Sequence, residues 1–368
     1  MFNIGAQYYS HIYTWLVVLL SLLVFSRYSS FSQSRLQGGK QQNSWGVILL
    51  TLFMVLFVGL RPISGKYFVD MGGYYQQYLT IHGDFFLFEW DTDNKLFDNY
   101  FRFLASIEFP IELFFLSMAA IYFICMALAC SSLFPKDKMA AFLVYLGAFS
   151  TFSYGTNGMK AGAAASLFLV ALAMYENRKW FWTIAFILLS WGFHHSMIVP
   201  VAAFVVCLFV KNPKWYFAIW VFCFLCALFH VSAFQTLFAG FTDEHGAGYL
   251  LGEEEHIRHN ILGGFRIDFI IYSAVPIVLG WIAVFKKRIS SSNYLFLLNL
   301  YMLVNSVWLL CMYAEFTNRI AYLSWQLLPI VLIYPLLKEE WGSNQYKTFQ
   351  WVAFGHLSFT LFMNYIYY

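Results

Sequence analysis

The stretch Val58-Gly59-Leu60-Arg61-Pro62-Ile63-Ser64-Gly65-Lys66 ends an apolar run and opens a polar loop that continues through Asp70 to Gly72-Gly73-Tyr74-Tyr75. Residues 45–60, before Arg61, contain no charge. Such a run suits hydrocarbon, and the arginine that ends it stands where hydrocarbon gives way to water. Arg61 then has two readings. It snorkels from a span end as an anchor, or it faces a ligand held in the loop beyond.

Composition extends the membrane reading to the whole chain. Of 368 residues, 61% are hydrophobic and 11% charged, against about 25% charged in a soluble domain. A single integral membrane domain over residues 1–368 is expected. Aromatic residues make up 22%, and Trp and Tyr near span ends suit headgroup depth. A formal charge of +3, with no basic face interleaved with aromatics, argues against a nucleic-acid partner. All six cysteines lie in apolar segments. Cys223-Phe-Leu-Cys226 has redox or zinc spacing, but a thiolate inside a span would be costly. Buried thiols are expected, with no metal and no cofactor. No Lys or Arg precedes the first apolar run, so the cationic start of a cleavable signal peptide is missing and the first span is expected to be kept.

A spanning helix needs about 20 mostly apolar residues, fewer where it is recessed. About twelve segments qualify: 9–26, 45–60, 109–130, 139–154, 160–175, 180–193, 195–210, 215–231, 267–285, 293–313, 319–337 and 348–366. The expected fold is an all-α polytopic membrane protein of about 12 transmembrane helices, with long loops at 61–108 and 232–266. Cytoplasmic loops hold an excess of Lys and Arg. With the N-terminus outside, fourteen of the 22 basic residues and only four of the 19 acidic ones fall inside, a net +10 there and −7 outside. Both termini and both long loops are then extracytoplasmic.

This topology gathers Arg61, Asp70, Lys160, His194, His195, Arg266, Asp268, Glu315 and Arg319 on the outer side. The inner loops hold only short basic clusters. Between Lys179 and Lys211 lie 31 residues, too few for two crossings of about 20 each. The turn Gly192-Phe193-His194-His195-Ser196 is therefore expected below the outer surface. Between Lys138 and Arg178 lie 39 residues, enough for two crossings around the outer turn Tyr154-Gly155-Thr156-Asn157-Gly158. Lys160 follows in the first turn of the next helix, where Ala161-Gly162-Ala163-Ala164-Ala165 offers a small-residue face for close approach. In the first long loop, Trp90-Asp91-Thr92-Asp93-Asn94 is acidic but lacks the glycine and terminal glutamate of an EF-hand.

Each ionisable group at membrane depth has a bland alternative to function. Arg319 stands four residues after Glu315, the spacing of a structural pair. Arg266 and Asp268 could only cap the following span. Lys160 at a helix start opposes the dipole, so an anionic partner is expected there. His194 and His195 could be packed core residues, a proton acceptor for a hydroxyl, or metal ligands. The last would need further ligands that no nearby spacing supplies. Several recessed cations on one face suit a phosphate-bearing ligand. Phosphates at the boundary with an apolar part in the bilayer describe a lipid-linked molecule, and a histidine beside it makes group transfer from a diphosphate plausible.

The order Gly59-Leu60-Arg61, Asp70, Tyr74, Asn157-x-x-Lys160, His194-His195-Ser196 with Pro200, and Arg319-x-x-Tyr322 resembles the EpsG family of bacterial membrane proteins, itself similar to Wzy-type polysaccharide polymerases. The family often has Gly-Thr-Asp after its early arginine, where this chain places Asp70 later, and Arg-Gln where this chain has Lys160-Ala161. The resemblance implies a metal-independent, lipid-dependent glycosyltransferase. It would transfer a growing glycan from undecaprenyl diphosphate onto another lipid-linked repeat unit, at the outer leaflet of the inner membrane. It also implies diphosphate contacts from Arg61 and Arg319, with Lys160 and Arg266 as further cations. His194 or His195 would be the base, with Asp70 in the catalytic set and Tyr74, Asn157 and Tyr322 binding substrate. A flippase and a chain-length regulator are the implied partners. Two rivals remain: a transporter of lipid-linked oligosaccharides, and a membrane O-acyltransferase that decorates glycans.

Overall fold

The computed structural model describes residues 4–31, 36, 39–231, 233, 264–314 and 316–367. Most of the second long loop, with Glu253-Glu254-Glu255-His256, lies outside the described residues, as do Arg35 and Glu315. Every regular element described is helical. The protein is an all-α polytopic membrane protein. Six helical stretches are long and apolar enough to cross a membrane: Ala6–Ser30, Ile111–Leu133, Met159–Glu176, Ile267–Lys286, Ser292–Leu310 and Thr317–Leu337. Shorter apolar helices accompany them.

The chain divides into two compact units, residues 1–198 with 336–368, and residues 199–335. The first contains α1 (Tyr9–Phe25), α2 (Trp45–Gly59), α3 (Val69–Ile81), α4 (Lys95–Ser106), α5 (Ile111–Leu133), α6 (Lys138–Leu146), α7 (Thr151–Thr156), α8 (Met159–Glu176), α9 (Trp180–Phe193) and, near the C-terminus, α16 (Gln345–Phe362). At its centre α8 packs between α5 and α9. The small residues at 161–165 allow close approach: a Cβ on Gly162 would come 3.3 Å from the Tyr122 ring of α5 and 2.4 Å from the Tyr154 carbonyl oxygen of α7. Ser190 of α9 donates to the Ala164 carbonyl at 2.6 Å, closing the opposite side.

Segment 139–154, expected as one span, is a helix broken between α6 and α7. A break in apolar surroundings requires its freed carbonyls to find donors. Tyr13 donates to Leu146, Thr151 to Tyr145 and Thr360 to Gly147, at 2.7–2.8 Å. The polar side chains of three elements hold the break open.

The first long loop is a folded helical hairpin. Asn99 of α4 accepts from the Glu89 N–H at 2.8 Å and donates to the Glu89 carbonyl at 2.9 Å. Arg102 pairs with the Glu89 carboxylate, and Tyr78 of α3 donates to the carbonyls of Leu104 and Phe109.

The second unit contains α10 (Ile198–Phe209), α11 (Pro213–Leu228), α12 (Ile267–Trp281), α13 (Ser292–Leu310), α14 (Thr317–Trp325) and α15 (Leu328–Leu337), the first and last crossing its borders. Several of its buried polar side chains pair with one another. Trp220 donates to Asn305 at 2.7 Å, Asn305 to Ser324 at 3.0 Å, Trp325 to Ser273 at 2.8 Å and Trp308 to Thr317 at 2.9 Å.

Candidate functional site

The cluster that joins the most sequence-predicted residues is organised by α4. Its sequence Lys95-Leu-Phe-Asp-Asn-Tyr-Phe-Arg-Phe-Leu-Ala-Ser buries Phe97, Phe101, Leu104 and Ala105 on one face, the spacing of an amphipathic helix. Phe97 is the hub. Its ring meets Tyr74 of α3 at 5.5 Å, Phe193 at the end of α9 at 6.5 Å, and the Lys160 ammonium at 5.9 Å. Gly192 makes the approach of α9 possible, because a Cβ there would lie 2.5 Å from the Leu96 side chain.

After α9 the chain turns extended at His194, with φ −151° and ψ 120°, and enters a short 3-10 turn at His195–Met197. The backbone N–H of His195 donates to Asn94 Oδ1 at 3.0 Å, and His195 Nδ1 stands 3.3 Å from the same oxygen. An oxygen that already accepts the main-chain N–H is the amide carbonyl, so Nδ1 must carry its proton to face it favourably. That tautomer leaves the lone pair of neutral His195 on Nε2. His194 is held the other way. Its Nδ1 accepts the Ser196 backbone N–H at 3.2 Å and lies 2.7 Å from Ser196 Oγ, which puts the neutral proton on Nε2. The two rings stack at 5.1 Å. One can accept a proton and the other can donate one; His195 is exposed and His194 half-buried.

Lys160 has the anionic neighbour that its helix-start position called for. Burial raises the pKa of Asp98, while Lys160 and the Asn94 backbone N–H, 3.3 Å from Asp98 Oδ2, pull it back. Asn94 thus ties Asp98 and His195 to one point. Asn94, Phe97 and Asp98 were not among the expected site residues. The signal was available: a capping-type Asn before a helix-period pattern inside a nominal loop.

Arg61 is inside the protein, 1% exposed. It donates to the Val58 carbonyl at 2.7 Å and the Thr156 carbonyl at 2.6 Å, and it lies 5.1 Å from the Phe68 ring and 5.7 Å from the Phe115 ring. Burial lowers its pKa to about 9, which leaves it a cation at neutral pH. The guanidinium thereby joins α2 to the turn that presents Asn157 and Lys160. Asn157 is half-buried, and its Oδ1 has no hydrogen-bond partner among the described residues. Asp70 is half-buried in the first turn of α3.

In the second unit, Arg266 and Asp268 form a buried ion pair at the start of α12, 7% and 8% exposed. The guanidinium donates through Nε at 2.9 Å and also through Nη2, and stacks 3.7 Å above Phe269. Arg319 is exposed near the start of α14, 4.9 Å from the ring of Phe316, whose φ is +49°. Tyr322 is buried at 2% exposure. No group of three or more His, Cys, Asp or Glu among the described residues could hold a metal ion.

A sequence model of the EpsG family matches residues 44–367, nearly the whole chain. The chain belongs to the EpsG family. EpsG-family members are Wzy-like polysaccharide polymerases. No curated protein and no solved structure matches this EpsG-family chain.

Proposed function

We propose that this EpsG-family protein polymerises undecaprenyl-diphosphate-linked oligosaccharide repeat units at the outer leaflet of the bacterial inner membrane, with His195 as the acceptor base. The observation that carries this reading is the paired tautomer geometry around Asn94. The acceptor sugar hydroxyl gives its proton to His195 Nε2 as its oxygen attacks the anomeric carbon of the donor. The bond from that carbon to the diphosphate oxygen breaks, and undecaprenyl diphosphate leaves with the electron pair. Charge grows on the leaving diphosphate, where Lys160 contributes a cation. Asp98 holds Lys160 until the diphosphate competes for it.

Arg61 acts in this scheme as a positioning residue, fixing the turn that carries Lys160 and Asn157. Tyr74 shapes the wall beside Phe97, Asn157 offers its unpaired amide oxygen to a sugar hydroxyl, and Asp70 is placed to orient the acceptor. Arg266 is already committed to Asp268, and in the second unit the exposed Arg319 offers a cation to phosphate while Tyr322 packs in the interior. By family resemblance, a flippase supplies the substrate and a chain-length regulator sets the product.

The test is complementation of a polymerase-deficient strain with His195→Ala, His194→Ala and Lys160→Gln variants at wild-type expression. Loss of a general base costs about 100- to 10,000-fold, so His195→Ala should yield no long-chain polymer. Normal polymer from all three variants would sink the assignment. Accumulation of cytoplasm-facing lipid-linked units on deletion would favour a transporter, and loss of acyl groups at unchanged polymer length would favour an acyltransferase.

A further inference from the structure

Gly59 at the end of α2 meets Leu116 near the start of α5, and Gly46 near the start of α2 meets Met139 just beyond the end of α5. The two helices therefore run in opposite directions, and the end near Trp45 and Leu133 is remote from the Arg61–Thr156 contact beside Lys160. There a cavity of about 270 Å³ is lined by three cations, Arg27, Lys40 and Lys136, with the rings of Tyr28 and Phe31 and the amide of Gln42. We propose that this cavity binds a phosphate group, and specifically the headgroup of an anionic phospholipid.

Three features support it. First, the walls are fixed. Tyr28 donates to Asp137 at 2.7 Å and its ring packs on Phe349 at 4.5 Å. The Gln42 backbone N–H donates to the Pro135 carbonyl at 2.9 Å, and Gln42 Oε1 accepts from the Met139 N–H at 2.9 Å. Lys138 donates to Ser44 at 2.8 Å. Second, the field is of one sign. Among the described residues no acid lines the cavity, and Asp137, 3% exposed, accepts from Tyr28. Lys136 donates to the Leu36 carbonyl at 2.6 Å, which anchors its ammonium at the rim. Positive-inside bias accounts for cations at this end, but not for three of them around one cavity. Third, the cavity sits where α1 ends, and Val24 and Phe31 give it apolar edges. A phosphate between basic groups with acyl chains alongside is the chemistry of a bound headgroup. A free phosphate would satisfy the cations but leave the apolar edges unused.

The full-length protein in neutral detergent is titrated with phosphatidylglycerol, with phosphatidylcholine, and with inorganic phosphate, and its unfolding temperature is followed. Phosphatidylglycerol should raise it by about 3 °C at saturation, since a ligand that binds only the folded state stabilises it by mass action. Phosphatidylcholine should not. The Arg27→Gln/Lys40→Gln variant should lose most of the shift, and Lys347→Gln, an exposed lysine outside the cavity, should keep it. If the double variant does not purify, Lys40→Gln alone should weaken the midpoint by about fivefold, the share of one basic residue in holding an anionic headgroup. Equal shifts from inorganic phosphate and phosphatidylglycerol, both lost in the variant, would overturn the lipid as source while keeping the phosphate site. Equal shifts in wild type and variant, or no preference over phosphatidylcholine, would overturn the site.

Discussion

Two acid–base pairs stand at helix starts in this protein, one in each unit, and they differ in how far they are closed. Arg266 and Asp268 are two residues apart, both buried, joined by two hydrogen bonds and covered by Phe269. Lys160 and Asp98 are far apart in sequence, both half-buried, and coupled through charge beside Phe97. A planar guanidinium fork fits one carboxylate and stays there, whereas an ammonium is a point charge that can change partners. On the proposed reading the first pair is structural and the second is the one that meets the ligand. Arg61 resembles the closed kind in burial, with Nη1 and Nη2 given to carbonyls within the fold.

The comparison can be broken at its closed side first. Arg266→Ala would leave Asp268 buried without its partner and should cost about 3–5 kcal/mol, read as a large fall in unfolding temperature. The double variant Arg266→Met/Asp268→Leu should recover most of it. An unchanged unfolding temperature for Arg266→Ala would end the distinction. At the open side, Lys160→Gln should lower polymer formation by about a hundredfold while shifting stability by no more than about 0.5 kcal/mol. A large loss of stability instead would make Lys160 structural too.

Asn94 sharpens the picture at smaller cost. Asn94→Ala removes a contact worth about 1 kcal/mol and should slow polymerisation about fivefold, with Asn94→Asp, which keeps an acceptor for His195, recovering it. The smallest effect concerns pH. Burial raises the Asp98 pKa despite Lys160, so the folded state holds that proton more tightly than the unfolded chain. The resulting stability is complete below the ordinary carboxylate pKa of about 4 and is lost as pH rises through the raised value. Asp98→Asn should therefore flatten the fall in unfolding temperature across that window. An identical profile would show that Asp98 does not titrate with folding.

Much of the site was legible because charge and hydropathy are local properties. The apolar runs located the helices, and the count of Lys and Arg put Lys160 and His194-His195 on one side together. The demand of Lys160 for an anion was readable from helix polarity, but Asp98 was not, because the partner lies 62 positions earlier in the chain. Likewise Arg61 at a span end could snorkel, and its company of outer-side cations favoured a diphosphate contact. Only packing showed that it is buried, with the carbonyls of Val58 and Thr156 accepting from Nη1 and Nη2.

A polytopic α-helical membrane protein of the EpsG family is readable from composition and short motifs alone, because both are local properties of the chain. Tertiary structure decided which ionisable groups are closed and which are open, and that loop 61–108 folds into a helical hairpin whose Asn94 orients His195. The physical reason is that hydrogen-bond partners and burial are set by residues distant in the chain. A side chain's chemistry is written locally, and its availability is not.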